Sequence, residues 1–315
     1  MKYKFNKSAP KLNSFYLFLV SLMSLLYIML PFDIYAQDPL SISVTPPIYE
    51  VMIQPGKEIT QVFSVTNLGG KTTLKPKIVY FEPSDLLGNV KITDKLAPDW
   101  IKFDPLPISL DQGQSHEFIV LISPSVDVPE TDHNITILFE TATAQDLLKD
   151  NSAFYNAQIG ANILLSISID GKPKKNAETV SFNAPFIVDW LMPVNYEVTL
   201  ANSGNSFWKP IGKININEDE ILNLAPLNIL SGYSRYIPCI NGENLIDCTS
   251  SKKILIGIKK ANLEFILDDD PQIYGKEVTT VVFPFSLLFG IIIIVTVSKL
   301  VNYLLTKNGI KIKFK

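Results

Sequence analysis

The sequence predicts an all-β protein: two tandem Ig-like antiparallel β-sandwiches followed by a C-terminal transmembrane helix. Three observations carry this expectation. Apolar residues alternate at period two through the middle of the chain, turn signals separate the alternating runs, and the apolar surplus is confined to two uncharged segments. The chain has 315 residues, 47% hydrophobic and 19% charged, with mean hydropathy +0.19. It is too apolar to be disordered and too apolar for an ordinary soluble enzyme. Residues 12–32 and 278–298 are each 21 residues without a charge, and 241 residues lie between them from 37 to 277. That middle holds 19 Lys+Arg against 30 Asp+Glu, net −11, while the first 36 residues carry +3 and the last 17 carry +5. So acidic a body excludes a basic nucleic-acid binder.

Residues 1–36 read as a secretory signal. Lys2, Lys4, Lys7 and Lys11 precede the apolar run 15–32, and Ile34-Tyr35-Ala36 ends in the small residue that suits signal peptidase. The run is long for a cleaved signal, so an uncleaved anchor stays open as a second reading. No Cys near the cleavage site and no Arg in the segment excludes lipid attachment and twin-arginine export. Residues 278–305 read as the transmembrane helix and its inner end. Twenty-one uncharged residues at ~1.5 Å each match a hydrocarbon core of ~30 Å. The tail 306–315 is basic, and Lys299, Lys307, Lys311, Lys313 and Lys315 face no acidic residue. By the positive-inside rule it is cytoplasmic, which makes a single-pass cell-membrane protein with its body outside.

The body divides into sandwiches at 37–171 and 172–277, joined through the polar linker 170–177. Ile163, Leu165, Ile167 and Ile169 share one face, opposite Leu164, Ser166, Ser168 and Asp170. Val194, Tyr196, Val198 and Leu200 alternate in the same way, as do Ile135, Ile137 and Phe139, Phe118, Val120 and Ile122, and Ile254, Ile256 and Ile258. Turns are expected at Pro55-Gly56, Asn67-Leu68-Gly69-Gly70, Asp111-Gln112-Gly113 and Asn241-Gly242, and one short helix near 144–149. An internal repeat supports two copies. Val65-Thr66-Asn67-Leu68-Gly69 is echoed by Leu200-Ala201-Asn202-Ser203-Gly204, Lys75-Pro76 by Lys209-Pro210, and Gly113-Gln114-Ser115-His116 by Gly232-Tyr233-Ser234-Arg235. The first copy is longer in the middle, around 82–99. Each Asn-x-Gly suggests a strand end that needs left-handed backbone, and each Lys-Pro an edge strand, since Pro cannot donate to a ladder.

Cys239 and Cys248 flank an Asn241-Gly242 turn, so a disulfide across a hairpin is expected; two free buried thiols are the alternative. No catalytic, cofactor-binding or metal-ligating set is expected. His116 and His133 read as surface histidines without a partner at ligand spacing, and hydrolase and phosphate-loop motifs are absent. Asn217-Glu218-Asp219-Glu220 and Asp268-Asp269-Asp270 read as solvated turns rather than calcium loops. Asn134-Ile135-Thr136 fits a glycosylation sequon at the start of a strand. Trp100, Trp190 and Trp208 read as sandwich core, with Phe207-Trp208 as a candidate exposed ligand platform.

The layout of signal, two sandwiches, one membrane span and Lys-rich tail resembles the WxL-interacting cell-surface proteins of Gram-positive bacteria. In the first domain the resemblance rests on Pro55-Gly56-Lys57-Glu58, the strand 62–67, and Pro129 leading into 134–141. In the second it rests on the run from Pro193 to Asn205 and on Ile211-Gly212-Lys213-Ile214. It implies a wall-facing protein whose first domain binds peptidoglycan and whose second binds a partner surface protein. The first domain is also similar to periplasmic pilus chaperones. The expected function is therefore non-enzymatic: a membrane-anchored cell-envelope protein that binds a wall polymer or a surface protein. The alternative is an Ig-like assembly or secretion chaperone in which a sandwich donates or accepts a strand.

Overall fold

A computed structural model describes residues 41–141, 158–217, 219–250, 256–268 and 270–307. The signal segment, the short helix near 144–149 and the basic tail beyond Lys307 lie outside the described residues. In chain order the first half contributes β1 (Ile42–Thr45), β2 (Ile48–Ile53), β3 (Ile59–Asn67), β4 (Thr72–Pro83), β5 (Val90–Leu96), β6 (Ile101–Lys102), β7 (Ile108–Leu110), β8 (Ser115–Ile122), β9 (Asp132–Thr141) and β10 (Gln158–Ile167). There follow β11 (Ala177–Asn183), β12 (Ile187–Asp189), β13 (Asn195–Asn202), β14 (Pro210–Ile216), β15 (Glu220–Leu224) and β16 (Ser234–Tyr236). The chain continues with β17 (Cys239–Asn241), β18 (Asn244–Ile246), β19 (Cys248–Thr249), β20 (Gly257–Leu267), β21 (Asp270–Phe283) and the helix α1 (Phe285–Lys307). The chain is thus mostly β, with an apolar C-terminal helix.

Four sheets result. The order β1-β3-β8-β6 faces β2-β10-β9-β4-β5, to which β7 adds on β4. The order β11-β13-β16, with β19 on β13, faces β12-β21-β20-β14-β15-β17-β18. Inward residues of each facing pair make one core. Phe63, Phe118 and Val120 meet Ile135, Ile163 and Leu165 in the first. Tyr196, Val198 and Leu200 meet Ile214, Leu263 and Phe265 in the second, with Trp208 wholly buried and stacked on Phe265. Each such side chain contributes roughly 1.5–3 kcal/mol by leaving water. Two pairings are parallel rather than the expected antiparallel, β2 with β10 and β12 with β21. At Pro46-Pro47 the chain passes from one sheet to the other without reversing, so β2 keeps the direction of β1 and meets β10 running the same way.

The repeated Asn has a different role from the one its Asn-x-Gly setting suggests. Neither Asn67 nor Asn202 has positive φ; that conformation falls on Gly113 and Gly232, both at φ 79°. Asn67 is fully buried and its Nδ2 donates to the carbonyls of Gly70 and Leu110 at 2.9 and 3.0 Å, while its Oδ1 accepts from Gly69 N–H. Asn202 repeats this, donating to Ser206 and Ile229 carbonyls at 2.8 Å each and accepting from Gly204 N–H. The glycine of the third echo closes the brace: Gly113 N–H donates to Asn67 O and Gly232 N–H to Asn202 O. Two of the echoes noted in sequence are therefore halves of one joint, present once in each core. The Lys-Pro expectation also needs correction, since β4 and β14 are interior strands. Pro76 pairs with Phe139 on one side and sits between the stretches that β7 and β5 cover on the other. Pro210 opens β14 three residues before β15 begins to pair. Both prolines occupy rungs where the second neighbour does not reach.

Three further expectations change. Ile256 and Ile258 point outward, 62% and 64% exposed, and the residue facing in is Lys259. Its Nζ donates to Ser250 Oγ at 2.9 Å, and Ser250 donates to Glu220 Oε2 at 2.6 Å, so Glu220 is a buried member of this chain rather than a solvated turn residue. Residues 278–283 are not helical. They complete β21, with Thr280 and Val282 buried, and α1 begins only after Pro284, which cannot extend the ladder. Phe285–Leu305 is still long and apolar enough to cross a membrane. The disulfide is present, Cys239 to Cys248, but it spans sheets rather than a hairpin rung. Cys239 pairs with Ile246 across the β17–β18 turn, whereas Cys248 lies in β19 opposite Tyr196 of β13. The bond thus staples the two facing sheets of the second core.

The brace makes a direct prediction. Asn202→Ala removes three buried hydrogen bonds, leaving the Ser206 carbonyl and the Gly204 N–H unpartnered and the Ile229 carbonyl with only its bond from Trp208 N–H, and should lower stability by about 2–4 kcal/mol. Asn262→Ala, on the exposed face of β20, should stay within about 0.5 kcal/mol. Urea unfolding of the two variants checks this, and equal midpoints would refute the role of the brace.

Candidate partner-binding site

The outer face of β10 was expected to meet solvent. Instead Leu164, Ser166 and Ser168 are as buried as the inner set Ile163, Leu165 and Ile167. Leu164 joins Phe81 and Leu230 in a third apolar cluster, with Phe207 and Tyr233 packed against it. Ser166 Oγ donates to Ser206 Oγ at 2.8 Å, and Phe207 N–H donates to Asp132 Oδ2 at 2.5 Å. Glu50 on β2 accepts from Lys209 Nζ at 2.7 Å and from Asn228 Nδ2 at 2.6 Å. The two cores therefore share a joined surface, not the few contacts expected across a polar linker. The extra length of the first copy supplies an arm to this joint. Asp85 holds the β4–β5 loop by accepting from Leu87 N–H, Asn89 N–H and Asn89 Nδ2. The loop presents Leu86 O to Tyr236 N–H at 2.7 Å and Leu87 O to Arg235 Nη2 at 3.2 Å. Gly88 suits the loop because its φ of 80° would strain any L side chain, and a Cβ there would also press on the Arg235 guanidinium.

Beside this joint lies a cavity of about 150 Å³, lined by Ile48, Phe81, Val90, Asn162, Leu164 and Arg235 among others. Its walls are mainly apolar, yet two polar atoms beside it are buried without a partner, Arg235 Nε and Asn228 Oδ1. Burial lowers the Arg235 pKa, opposed by the charge of Asp85. On the far side of Glu50, an open groove of about 880 Å³ runs along the linker, past Lys172 and Lys174, to Asp268. Lys175 Nζ ties the linker to Asp268 at 2.9 Å.

The edge of β10 leads into the cavity. β2 covers β10 only from Asn162 to Ile167, and Asn162 N–H donates to Pro47 O. Backbone groups alternate in direction along a strand, so those of Gly160 point the same way as those of Asn162. Among the described residues no strand pairs with that side of residues 158–161. Gly160 itself lies close over β9, where a Cβ would be 2.6 Å from Thr136 Oγ1. The opposite side of the same four residues is fully paired with Glu140 to Ile137 of β9.

The residues singled out from sequence scatter away from this place, except one. Trp208 is buried and donates from Nε1 to Asn176 O, and Phe207 is half-buried in the joint, so the exposed aromatic platform does not exist. Two apolar rings next to a turn found covers in two different clusters. Trp100 packs at the margin of the first core and Trp190 lies beside the start of α1. His116 is exposed as expected, but His133 is half-buried. Its Nδ1 lies 2.6 Å from Tyr80 Oη, its ring packs edge-on against Trp100, and burial followed by the charge of Lys95 brings its pKa down to about 4. The sequon is closed: Ile135 and Thr136 are buried and Asn134 Oδ1 is buried without a partner. No cluster of His, Cys, Asp or Glu suited to a metal occurs among the described residues. Gly160, Arg235 and Asp132 escaped the reading of the sequence. A lone Gly inside an alternating run was the available signal for the first.

No protein-family model matches the chain, and no curated protein sequence matches it. Among solved structures it is similar to the class 5 fimbriae chaperone CfaA, at 12% identity over 78% of this chain and 100% of that one, TM-score 0.37. It is similar also to the E. coli chaperone DraB, at 12% identity over 76% and 98%, TM-score 0.38. The periplasmic chaperone SfaE matches at 11% identity over 76% and 100%, TM-score 0.33.

Asp132 sets a pH dependence of the joint. Burial, only partly offset by the neighbouring Ser166 and Ser206 hydroxyls, the Phe207 N–H and the charge of Lys175, raises its pKa to about 6. A carboxyl with a raised folded pKa contributes stability that is full below its unfolded value and is lost as pH rises through 6. His133 acts in the opposite sense, its contribution being lost as pH falls from 6.5 through 4. The Asp132 part is isolated by difference: relative to the parent, Asp132→Asn should gain thermal stability at pH 7 and lose that advantage by pH 4. A constant difference across this range would contradict the assignment.

Proposed function

We propose that the protein is a non-enzymatic, single-pass membrane protein of a cell envelope that holds a partner polypeptide by strand addition at the free edge of β10. In this reading the two cores are two tandem Ig-like sandwich domains outside the membrane, α1 crosses the bilayer, and the Lys-rich tail lies in the cytoplasm. The observation that carries it is the four-residue stretch 158–161, which among the described residues pairs with a strand on one side only and runs into Asn162 at the wall of the apolar cavity. Main-chain donors and acceptors at such an edge give affinity for an extended chain, and a side-chain pocket beside it gives selectivity. An amide in the cavity would satisfy both orphaned atoms, accepting from Arg235 Nε and donating to Asn228 Oδ1. This is the assembly or secretion chaperone reading, favoured over adhesion to a wall polymer. The aromatic pair that would have stacked on a sugar is closed off. It also departs from the arrangement that the resemblance to WxL-interacting proteins implies, since the partner protein sits here on the first domain rather than the second.

A photoreactive side chain at Gln158 of the full-length protein, activated in its native membranes, should give a discrete polypeptide adduct. The same group at Leu245, exposed on the β17–β18 hairpin, should give none. Equal labelling from both positions, or retention of the detergent-solubilised protein on wall polysaccharide without any polypeptide adduct, would refute the proposal.

A further inference from the structure

We propose that the second core rests directly on the bilayer, with an apolar rim around the start of α1 seated in the headgroup and acyl boundary. This rests on the reading of α1 as a membrane span. Outward-facing residues of β20 and β21 change character at one level. Between the middle of the sheet and α1, the outward residues run Glu264, Asn262, Lys260 and Ile258 on β20, with Ile256 just before it, and Glu277, Thr279, Val281 and Phe283 on β21; Ile266 and Ile273, the latter 72% exposed, form a separate apolar patch at the end of the sheet away from α1. Lys260 pairs with Thr279 in register, and Ile258 with Val281. The polar-to-apolar boundary therefore crosses both strands on the same rung, with the Lys260–Glu277 ion pair on its polar side. From Val281 to the end of β21 is a rise of ~7 Å, comparable to the ~5–8 Å of headgroup region on one side of a bilayer.

A loop on the neighbouring strand extends the rim. Residues 185–193 read Pro-Phe-Ile-Val-Asp-Trp-Leu-Met-Pro, with a single charge. Phe186, Leu191 and Met192 are more than half exposed, Met192 by 66%. The charge is occupied at the helix start: Asp189 Oδ2 accepts from Ser286 N–H at 2.7 Å, and Asp189 Oδ1 from Ser286 Oγ at 3.0 Å. Trp190 Nε1 donates to the same Ser286 Oγ at 2.8 Å, and Trp190 N–H to Phe283 O. β12 pairs with β21 at residues 281–283, so the loop is fastened to the first turn of α1 from two sides. Only Pro284 separates β21 from α1, which leaves no flexible tether between sheet and helix. A soluble surface would leave this apolar belt exposed to water. Lipid covers it without a second protein, and an indole fastened at the same level is the residue type that favours the interface. The belt also accounts for the inverted setting of Ile256, Ile258 and Lys259. Turning the isoleucines inward would instead set apolar side chains against Ser250 and Glu220 and take Lys259 off its contact with Ser250.

Nitroxide labels on Met192→Cys, Ile258→Cys, Glu264→Cys and Ile293→Cys variants of the full chain, in vesicles of phosphatidylcholine with phosphatidylglycerol, test this. Labels at 192 and 258 should collide with oxygen in preference to a water-soluble nickel chelate, by several-fold over the label at 264, and approach the label at 293. Water-like ratios at 192 and 258 with a lipid-like ratio at 293 would overturn the seating while leaving the anchor intact. A water-like ratio at 293 would overturn the membrane span itself, and the seating with it. Quenching of tryptophan emission by lipids brominated near the headgroup should also be lost in Trp190→Phe. Quenching that survives unchanged in that variant would contradict the seating without any cysteine substitution.

Discussion

The arrangement depends on one strand that is buried on both faces. β10 sends Ile163, Leu165 and Ile167 into the first core and Leu164, Ser166 and Ser168 against whatever lies behind it. A strand buried on both faces needs cover on each; behind Leu164 and Ser166 it comes from Leu230, Phe207 and Ser206 of the second half, with Phe81 beside Leu164. That single requirement explains why the β4–β5 arm reaches across to Tyr236 and Arg235, and why Glu50 on the neighbouring strand meets Lys209 and Asn228. It also explains how a carboxyl as costly to bury as Asp132 is tolerated, held by the Phe207 N–H at the same seam. The edge lies where β2 has not yet begun: Ile48 stands opposite Asn162, so the first residues of β10 precede its cover.

Much of the fold was legible because its rules are local. Period-two alternation located β8, β9, β10 and β13, and the positive-φ glycines at 56, 113 and 242 fall in the expected turns. The repeat was legible as words but not as a joint. Asn67 and Gly113 are far apart in sequence, and nothing in either phrase says that the backbone of one bonds the other. Side-chain braces of this kind are set by tertiary approach, so the glycine took the left-handed backbone and the asparagine took the carbonyls.

The misread positions share a cause: each is decided by what covers an exposed-looking face. Phe207-Trp208 beside a turn looks like a platform until Trp208 stacks under Phe265 and Phe207 enters the joint. Ile256-Gly257-Ile258-Lys259 alternates as a core strand should, yet the polar member faces in, where Ser250 and Glu220 receive it. Period two reports that the two faces differ, not which of them is wet. The candidate site was the least legible part. Gly160 and Arg235 carry no motif, and their importance comes from a missing neighbour and a missing acceptor, neither of which a sequence displays.

Among the described residues, no strand pairs with the outer edge of residues 158–161, although the opposite edge is fully covered. Residue-resolved amide hydrogen exchange on the full-length protein, without partner, reads this directly. The Gly160 amide should exchange orders of magnitude faster than those of Asn162 and Leu164 two and four residues on, although all three lie in the same strand. Uniform protection from Gly160 through Leu164 would mean that the edge is already covered, and would contradict the account.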